Sequence, residues 1–313
     1  LPFWFVVRKL GDMEATCSAV VVGGGAAGLT AALVLGRARV PTLLVDAGRQ
    51  SNLPAHAVGG LVGHPGSPAE LYAAGRTQLA AHPAVEIADT TVTAVTGTSG
   101  AFDVQLADGR SVRTRRVVLT AGMDYARPDL PGLEELWGDT VFHCPYCHGW
   151  EVAGLPLAVL GDNVFQPLLL TSWSDDVVLF TDGAVLAGDD EALLAKAGVA
   201  IDPRPVVGLR SEGGKLAAVQ LADGTEAARR GLLLHTPLQP RSSLLDDLGL
   251  ERGPMGEVVI DAMGRTSVAG IFAAGDVANP RPSITMALAQ GTAAAAGLHH
   301  SLLVEDVGLP PLP

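Results

Sequence analysis

The apolar positions of this chain fall in short uninterrupted runs, most of them bounded by glycine, proline or aspartate. Cys17-Ser-Ala-Val-Val-Val22 predicts a buried strand, Leu29 to about Arg37 an Ala/Leu-rich helix, and Thr42-Leu-Leu-Val-Asp46 the next strand. Between the first strand and the helix stands Gly23-Gly-Gly-Ala-Ala-Gly28, so the order is strand, glycine turn, helix, strand, which is one βαβ unit. A second unit begins at Leu157-Ala-Val-Leu160, passes through Gly161-Asp-Asn-Val-Phe-Gln166 and a Leu-rich segment, and reaches Val177-Val-Leu-Phe180. The downstream parts repeat as well. Val104-Gln-Leu-Ala-Asp-Gly109 recurs letter for letter as Val219-Gln-Leu-Ala-Asp-Gly224, and the apolar runs Val117–Leu119 and Leu232–Leu234 follow each copy at the same distance. Asp-Gly between apolar runs is a hairpin signal. The chain therefore reads as two copies of one architecture, a doubly wound sheet with a small antiparallel meander.

The last portion, from about Leu248, holds Gly270-Ile-Phe-Ala-Ala-Gly-Asp-Val277 and an Ala-rich helix from about Ile284 to His299, with no βαβ unit of its own. It is expected to return to the first domain. The predicted fold class is α/β, with two Rossmann-like domains of the FAD/NAD(P)-binding, three-layer ββα kind, the first discontinuous. Residues 13–122 and 248–313 form the first domain and 123–247 the second. Residues 1–12, upstream of Met13, are set aside as an N-terminal extension. The two crossings, near Met123 to Arg127 and near Pro240 to Leu245, are the expected hinges.

At 313 residues the chain has room for about two domains of ordinary size. Lys and Arg total 21 against 33 Asp and Glu, a net charge of -12 that would repel nucleic acid and anionic membrane surfaces, so neither is an expected partner. The apolar opening Leu1-Pro-Phe-Trp-Phe-Val-Val7 is far shorter than the roughly 20 residues of a membrane span and lacks a signal-peptide cleavage pattern; the expected location is cytoplasmic. Three cysteines, Cys17, Cys144 and Cys147, are no disulfide framework.

Gly23, Gly25 and Gly28 follow a strand and open a helix, and Asp46 ends the next strand about 20 residues on. That context points to dinucleotide binding. Gly23 makes the turn, Gly25 lets backbone N–H groups approach a pyrophosphate, Gly28 lets helix and strand pack, and Asp46 accepts from a ribose hydroxyl. An acidic residue there disfavours a 2′-phosphate, so this first site suits FAD or NAD rather than NADP.

The second chemical signal is His143-Cys-Pro-Tyr-Cys-His-Gly-Trp150. A CxxC followed by His is compatible with an electron-shuttling dithiol, half of a zinc site, or a c-type haem attachment. Zinc would need two more ligands than the cysteine pair supplies, and haem would need export that the chain does not signal, so no metal is expected. The dithiol is left as the reading that fits beside a flavin.

The fingerprint at Gly23, the strand end Thr120-Ala-Gly122, the CxxC and Thr266-Ser-Val-Ala-Gly-Ile-Phe-Ala-Ala-Gly-Asp276 together resemble the low-molecular-weight thioredoxin reductase family of flavoproteins, from about Ser18 to His299. The resemblance implies FAD at the first fingerprint, with Ala26, Ala27, Ala121 and Gly122 beside the glycines. It implies that Gly275 and Asp276 contact the FAD ribitol and phosphate, and that the helix opening at Ile284 points its N-terminus at the flavin ring. It further implies that Cys147 is the flavin-proximal thiol, that Cys144 exchanges with substrate, and that the protein is a homodimer. Where the family carries Asp after the second Cys, this chain has His148. An imidazole with an ordinary pKa of about 6.5 can deprotonate a thiol near neutral pH, and His143 is the second candidate base. Pro145, Tyr146 and Trp150 read as packing and turn residues, and Cys17 as a buried hydrophobe.

The family takes electrons from NADPH on the second βαβ unit. Here Asn163 replaces the second glycine, Gln166 stands where Gly or Ala should let the helix pack, and Asp162 adds negative charge. Thr181-Asp-Gly-Ala-Val-Leu186 replaces an Arg-rich 2′-phosphate motif. These changes argue against NADPH. A CPYCHG dithiol on this scaffold is similar to the FAD-dependent dithiol oxidases that close disulfides in gliotoxin-like and holomycin-like compounds, delivering electrons to O2 and forming H2O2. The expected function is such an oxidase, acting on a small-molecule dithiol or disulfide. The alternatives are an NADPH- or ferredoxin-dependent thioredoxin or disulfide reductase, and a non-catalytic flavin redox sensor. The tail Val307-Gly-Leu-Pro-Pro-Leu-Pro313 either covers the substrate entrance or is disordered.

Overall fold

A computed structural model describes residues 14–241 and 243–310; the proposed extension at 1–12 and the last three residues of the tail lie outside the described residues. In chain order, β1 (Glu14–Val22), α1 (Ala26–Arg37) and β2 (Thr42–Val45) form the first βαβ unit. They are followed by α2 (Pro68–Leu79), β3 (Val85–Ala88), β4 (Val92–Thr98), β5 (Ala101–Leu106), β6 (Ser111–Leu119) and β7 (Met123–Tyr125). Next come β8 (Val141–Phe142), α3 (Pro145–His148), β9 (Leu157–Leu160), α4 (Phe165–Leu170), β10 (Val177–Phe180) and α5 (Gly188–Lys196). The chain continues with β11 (Ala200–Asp202), β12 (Val206–Glu212), β13 (Lys215–Leu221), β14 (Glu226–Ala228) and β15 (Gly231–Leu234). It closes with β16 (Leu238–Pro240), α6 (Leu244–Asp247), β17 (Ile271–Ala273), a single 3-10 turn over Asp276–Ala278, and α7 (Ile284–Val307).

Two compact units result. The first comprises the stretch ending at Ser51, Ala69–Asp124 and the stretch beginning at Leu238. Its seven-stranded sheet runs β3-β2-β1-β6-β5-β4, with β17 also paired to β6. Strand β1 is parallel to β2 and β6, whereas β4, β5 and β6 form the antiparallel meander. The alternation of a strand divides the core in two. Ala19 and Val21 of β1 face a layer built from α1 and α7, while Val20 and Val22 join the meander side.

The second unit comprises Asn52–Pro68 and Tyr125–Pro237. Its five strands run β11-β10-β9-β15-β8, with β12-β13-β14 as a separate antiparallel sheet. Strands β10 and β15 are buried along their whole length and β9 at all but Leu160, as expected of a parallel sheet between layers. The repeated VQLADG folds the same way twice. Asp108-Gly109 turns β5 into β6 and Asp223-Gly224 turns β13 into β14, with both glycines at positive φ.

Three placements differ from the sequence reading. Asn52–Pro68, read as part of the first domain, packs within the second unit because its backbone lies against the CxxC turn. The return crossing lies at Pro237–Leu238, just before the expected hinge near Pro240 to Leu245, and the returning portion begins at Leu238 instead of 248, because β16 pairs with β7 and Leu244 and Leu245 bury in the first unit's core. Helix α7 runs to Val307 instead of ending near His299; Leu302 stays buried and Arg115 and Arg116 pair with Glu305 on its last turns, before Gly308 terminates it in the left-handed conformation. No helix of the described residues is long and apolar enough to cross a membrane.

Candidate active site

In the first unit the fingerprint turn runs from β1 into α1. Thr120 at the end of β6 donates its hydroxyl to the Val22 and Gly23 carbonyls at 2.9 Å, which ties the turn to the neighbouring strand. The glycines have separable reasons. A Cβ on Gly28 would stand 1.8 Å from the Gly23 carbonyl oxygen, so helix and turn pack only with glycine there. A Cβ on Gly25 would meet nothing closer than Gln50 Cγ at 3.8 Å, so no protein contact requires that glycine. Gly25 is also the N-cap of α1 and supplies no side-chain cap, so the first N–H groups at Ala26 and Ala27 remain without a side-chain acceptor from that position. Space above a bare helix N-terminus is what a pyrophosphate needs. The residues present fit FAD.

Asp46 is 6 % exposed at the end of β2. One carboxylate oxygen accepts from the Gly48 N–H at 2.9 Å and Gln50 Nε2 at 3.1 Å; the other accepts from Arg76 at 2.8 Å. A carboxylate has about four lone-pair sites, so one is left for a ribose hydroxyl. Arg76, which also reaches Asp89 at 2.5 Å, and Gln50 carry no motif and were not legible as part of this site. Ala121 and Gly122 leave β6 half-buried. The Gly275 N–H donates to Gln290 Oε1 at 3.0 Å, and Asp276 opens the 3-10 turn. Burial pushes the Asp276 carboxyl up to about 6, against the opposing field of the Arg241 guanidinium. Ile284 is the first residue of α7, whose N-terminus is capped by Ser283 Oγ accepting the Met286 N–H at 3.2 Å.

In the second unit the CxxC forms the single turn of α3, with Cys144 as N-cap and Pro145 at the first helical position, where no N–H is needed. Cys144 and Cys147 are joined by a disulfide, their Cα atoms 5.3 Å apart. The segment 52–68 comes so near that a Cβ on Gly59 would stand 2.6 Å from the Cys147 carbonyl oxygen. Neither that glycine nor its segment carries a sequence signal for the dithiol site.

The two candidate bases sit differently. His143 sits in a triangle of rings, stacked 4.0 Å from Tyr125 and 5.7 Å from Trp137 between centroids, with those two 6.1 Å apart. Burial, helped by the nearby His148, lowers its pKa to about 4. His148 stacks on Phe142, and its Nε2 lies 3.1 Å from the Gly138 carbonyl oxygen. A carbonyl can only accept, so Nε2 carries the hydrogen and Nδ1 keeps its lone pair. That Nδ1 is buried and has no hydrogen-bond partner among the described residues. Burial holds the His148 pKa below the ordinary imidazole value, opposed by the Gly138 carbonyl and the charge of Glu151.

Pro145 is buried, but Tyr146 and Trp150 are not packing residues: they are 74 % and 83 % exposed, and Tyr146 meets Trp173 edge-on at 5.6 Å. Cys17 packs against the first unit's core, and burial raises its thiol to about 11, far from a nucleophile at neutral pH.

The second fingerprint turn is closed on itself. Asn163 Oδ1 accepts the Phe165 N–H at 2.8 Å, the first N–H of a six-residue α4. Gln166 stands within that helix with its Oε1 buried and unpartnered among the described residues. Asp182, in the place of a 2′-phosphate motif, is exposed and accepts the Val206 N–H at 2.8 Å.

The pyridine nucleotide-disulphide oxidoreductase family matches residues 17–163 and 189–291. Thioredoxin reductase tcpT of Claviceps purpurea is 33% identical over 276 residues, which cover 82% of this chain and 85% of the relative. The crystal structure of HlmI is similar with a TM-score of 0.89 and 40% identity, covering 94% of both chains. That of an oxidoreductase from Agrobacterium tumefaciens is similar with a TM-score of 0.87 and 36% identity, covering 93% of this chain and 100% of the other.

Proposed function

The chain belongs to the pyridine nucleotide-disulphide oxidoreductases, in their low-molecular-weight thioredoxin reductase-like branch, and as such is an FAD-dependent thiol-disulfide oxidoreductase; within that class we propose that it is a dithiol oxidase. Its substrate is a small-molecule dithiol, in which it closes an intramolecular disulfide.

The observation that carries this reading is the closed turn at Gly161–Gln166. A phosphate would have to displace the Asn163 amide from the α4 N-terminus while approaching Asp162, so the pyridine nucleotide that drives a reductase has no cradle. Electrons then enter from thiols. The relatives' name, thioredoxin reductase, favours the reverse direction, with NADPH as donor. Ferredoxin as donor is disfavoured by charge, since this chain carries -12 and ferredoxins are usually acidic.

The steps balance. A substrate thiolate attacks Cys144 Sγ, the Cys144–Cys147 bond breaks, and Cys147 leaves as thiolate. The second substrate thiol attacks the mixed disulfide, which forms the product disulfide and releases Cys144. Two electrons now rest on the cysteine pair. FAD, held by the Gly23–Gly28 turn and Asp46, would supply the acceptor for that pair as the Cys144–Cys147 bond re-forms, with O2 as the terminal oxidant and the two thiol protons leaving in H2O2. His148 takes the proton from the attacking thiol at its bare Nδ1. His143 is less suited: moving a proton from a thiol with a pKa of about 8.5 to an imidazole near 4 is strongly uphill. Its stacked ring buttresses the start of the CxxC turn.

An anaerobic titration of the yellow holoprotein tests the proposal. Dithiothreitol is expected to bleach the flavin and NADPH to leave it oxidised. Rapid bleaching by NADPH would return the protein to the reductases. Bleaching by neither would leave the redox-sensor reading.

A further inference from the structure

His148 does not hold itself in place. Its Nε2–H donates to the carbonyl of Gly138, and that carbonyl belongs to a turn gripped from two distant segments. Gly138 has φ +84, and a Cβ there would lie 2.9 Å from Pro54 Cβ and 3.2 Å from the Ala55 nitrogen, so the 52–68 segment packs directly on the turn. The next residue, Asp139, has a side chain only 17 % exposed; it pairs with Lys215 at the head of β13 and lies 3.6 Å from His56 Nε2. The adjoining Thr140 hydroxyl accepts the Leu216 N–H at 3.0 Å, a second tie to the same strand.

We propose that Asp139, pinned by Lys215, is a positioning residue that fixes the tautomer and proton affinity of His148. The proposal rests on His148 being the base. Asp139 never touches the reacting sulfurs; it acts by holding the Gly138 carbonyl on Nε2 and by its charge. The groups facing His148 are Asp139 and Glu151, whose charges favour the imidazolium, the carbonyl of Gly138, which accepts from Nε2–H, and the carbonyl of Cys144, which favours the imidazolium; His143 also opposes charge on the ring pair. Lys215 and His56 face Asp139. Asp139 therefore strengthens His148 as a proton acceptor and Lys215 moderates it, while the carbonyl keeps Nδ1 as the atom that accepts.

This makes the signs of two substitutions opposite, which mere loosening of the turn would not. In holoprotein labelled with 15N-histidine, the His148 signals are those lost in His148→Gln. The wild type is expected to show an Nε2–H imidazole titrating below the ordinary value of about 6.5. Asp139→Asn removes a negative charge, so the His148 pKa should fall, with the tautomers mixing. Lys215→Met, on a half-exposed side chain, removes the opposing positive charge, so the pKa should rise. A fall in the first with a rise in the second supports the assignment; no shift in either, or the same sign in both, overturns it. Should Asp139→Asn not fold, the sign of the Lys215→Met shift decides. The underlying reading fails separately: if His148→Gln turns over dithiols at the wild-type rate, His148 is not the base, whatever the labelled spectra show.

Discussion

Cys147→Ser is expected to give a yellow, fully FAD-loaded protein whose flavin dithiols no longer reduce, with the rate of bleaching lower by on the order of 10³-fold or more. Flavin loading should survive because the cradle at Gly23–Gly28 and Asp46 is built within the first unit, whereas the cysteines belong to the second. The two serine variants should part company in one respect. Offered an acyclic disulfide such as hydroxyethyl disulfide, Cys147→Ser should accumulate a mixed disulfide on Cys144, seen as an added mass, because neither a resolving cysteine nor a tethered substrate thiol is there to attack it. Cys144→Ser should be equally inactive without that adduct. If the adduct forms in Cys144→Ser instead, the roles of the two sulfurs are exchanged.

His148→Gln should lower the anaerobic rate of flavin reduction by dithiothreitol about 10²–10⁴-fold at neutral pH, the usual contribution of a positioned general base, worth about 3–5 kcal/mol. Glutamine preserves much of the ring's size and can donate to the Gly138 carbonyl, but offers no atom that accepts a proton at that pH. The pH dependence carries the sign. Burial lowers the His148 pKa, so in the wild type the neutral, accepting form persists below the ordinary imidazole range, and activity should fall only as acidity drives the ring to the imidazolium. In the variant that acid limb should vanish. Its residual rate should climb with pH toward the ordinary thiol pKa of about 8.5, because the substrate must then ionise unaided. An unchanged acid limb in His148→Gln would mean that another group sets it.

The features legible in the sequence are those whose partners lie within one local element. Gly23, Gly25, Gly28 and Asp46 were readable because strand, turn and helix are contiguous, and the structure places them in one cradle. The CxxC was readable for the same reason, and so was the departure of the second turn from the glycine pattern at Asn163 and Gln166. What adjacency conceals is which neighbour does what. His143 and His148 flank the cysteines almost symmetrically in the chain, yet one is stacked against Tyr125 and Trp137 while the other points a bare nitrogen inward from a carbonyl tether. The tether depends on Gly138, Pro54, Asp139 and Lys215, which lie in three separate parts of the chain and carry no motif. Arg76 on Asp46 and Gly59 against Cys147 were hidden for that reason too. Tyr146 and Trp150 were misread because an aromatic residue beside a turn is ordinarily buried, whereas here the short α3 exposes both.

The most direct test of the proposed direction is oxygen consumption by the wild-type holoprotein under air, with dithiothreitol as substrate and H2O2 measured alongside. The dithiol-oxidase reading predicts many turnovers without NADPH, consuming one O2 and yielding one H2O2 for each disulfide closed, and loss of both signals in Cys147→Ser. A flavin that stays reduced under air in the presence of dithiol, or turnover that begins only when NADPH and a disulfide are supplied, would contradict it.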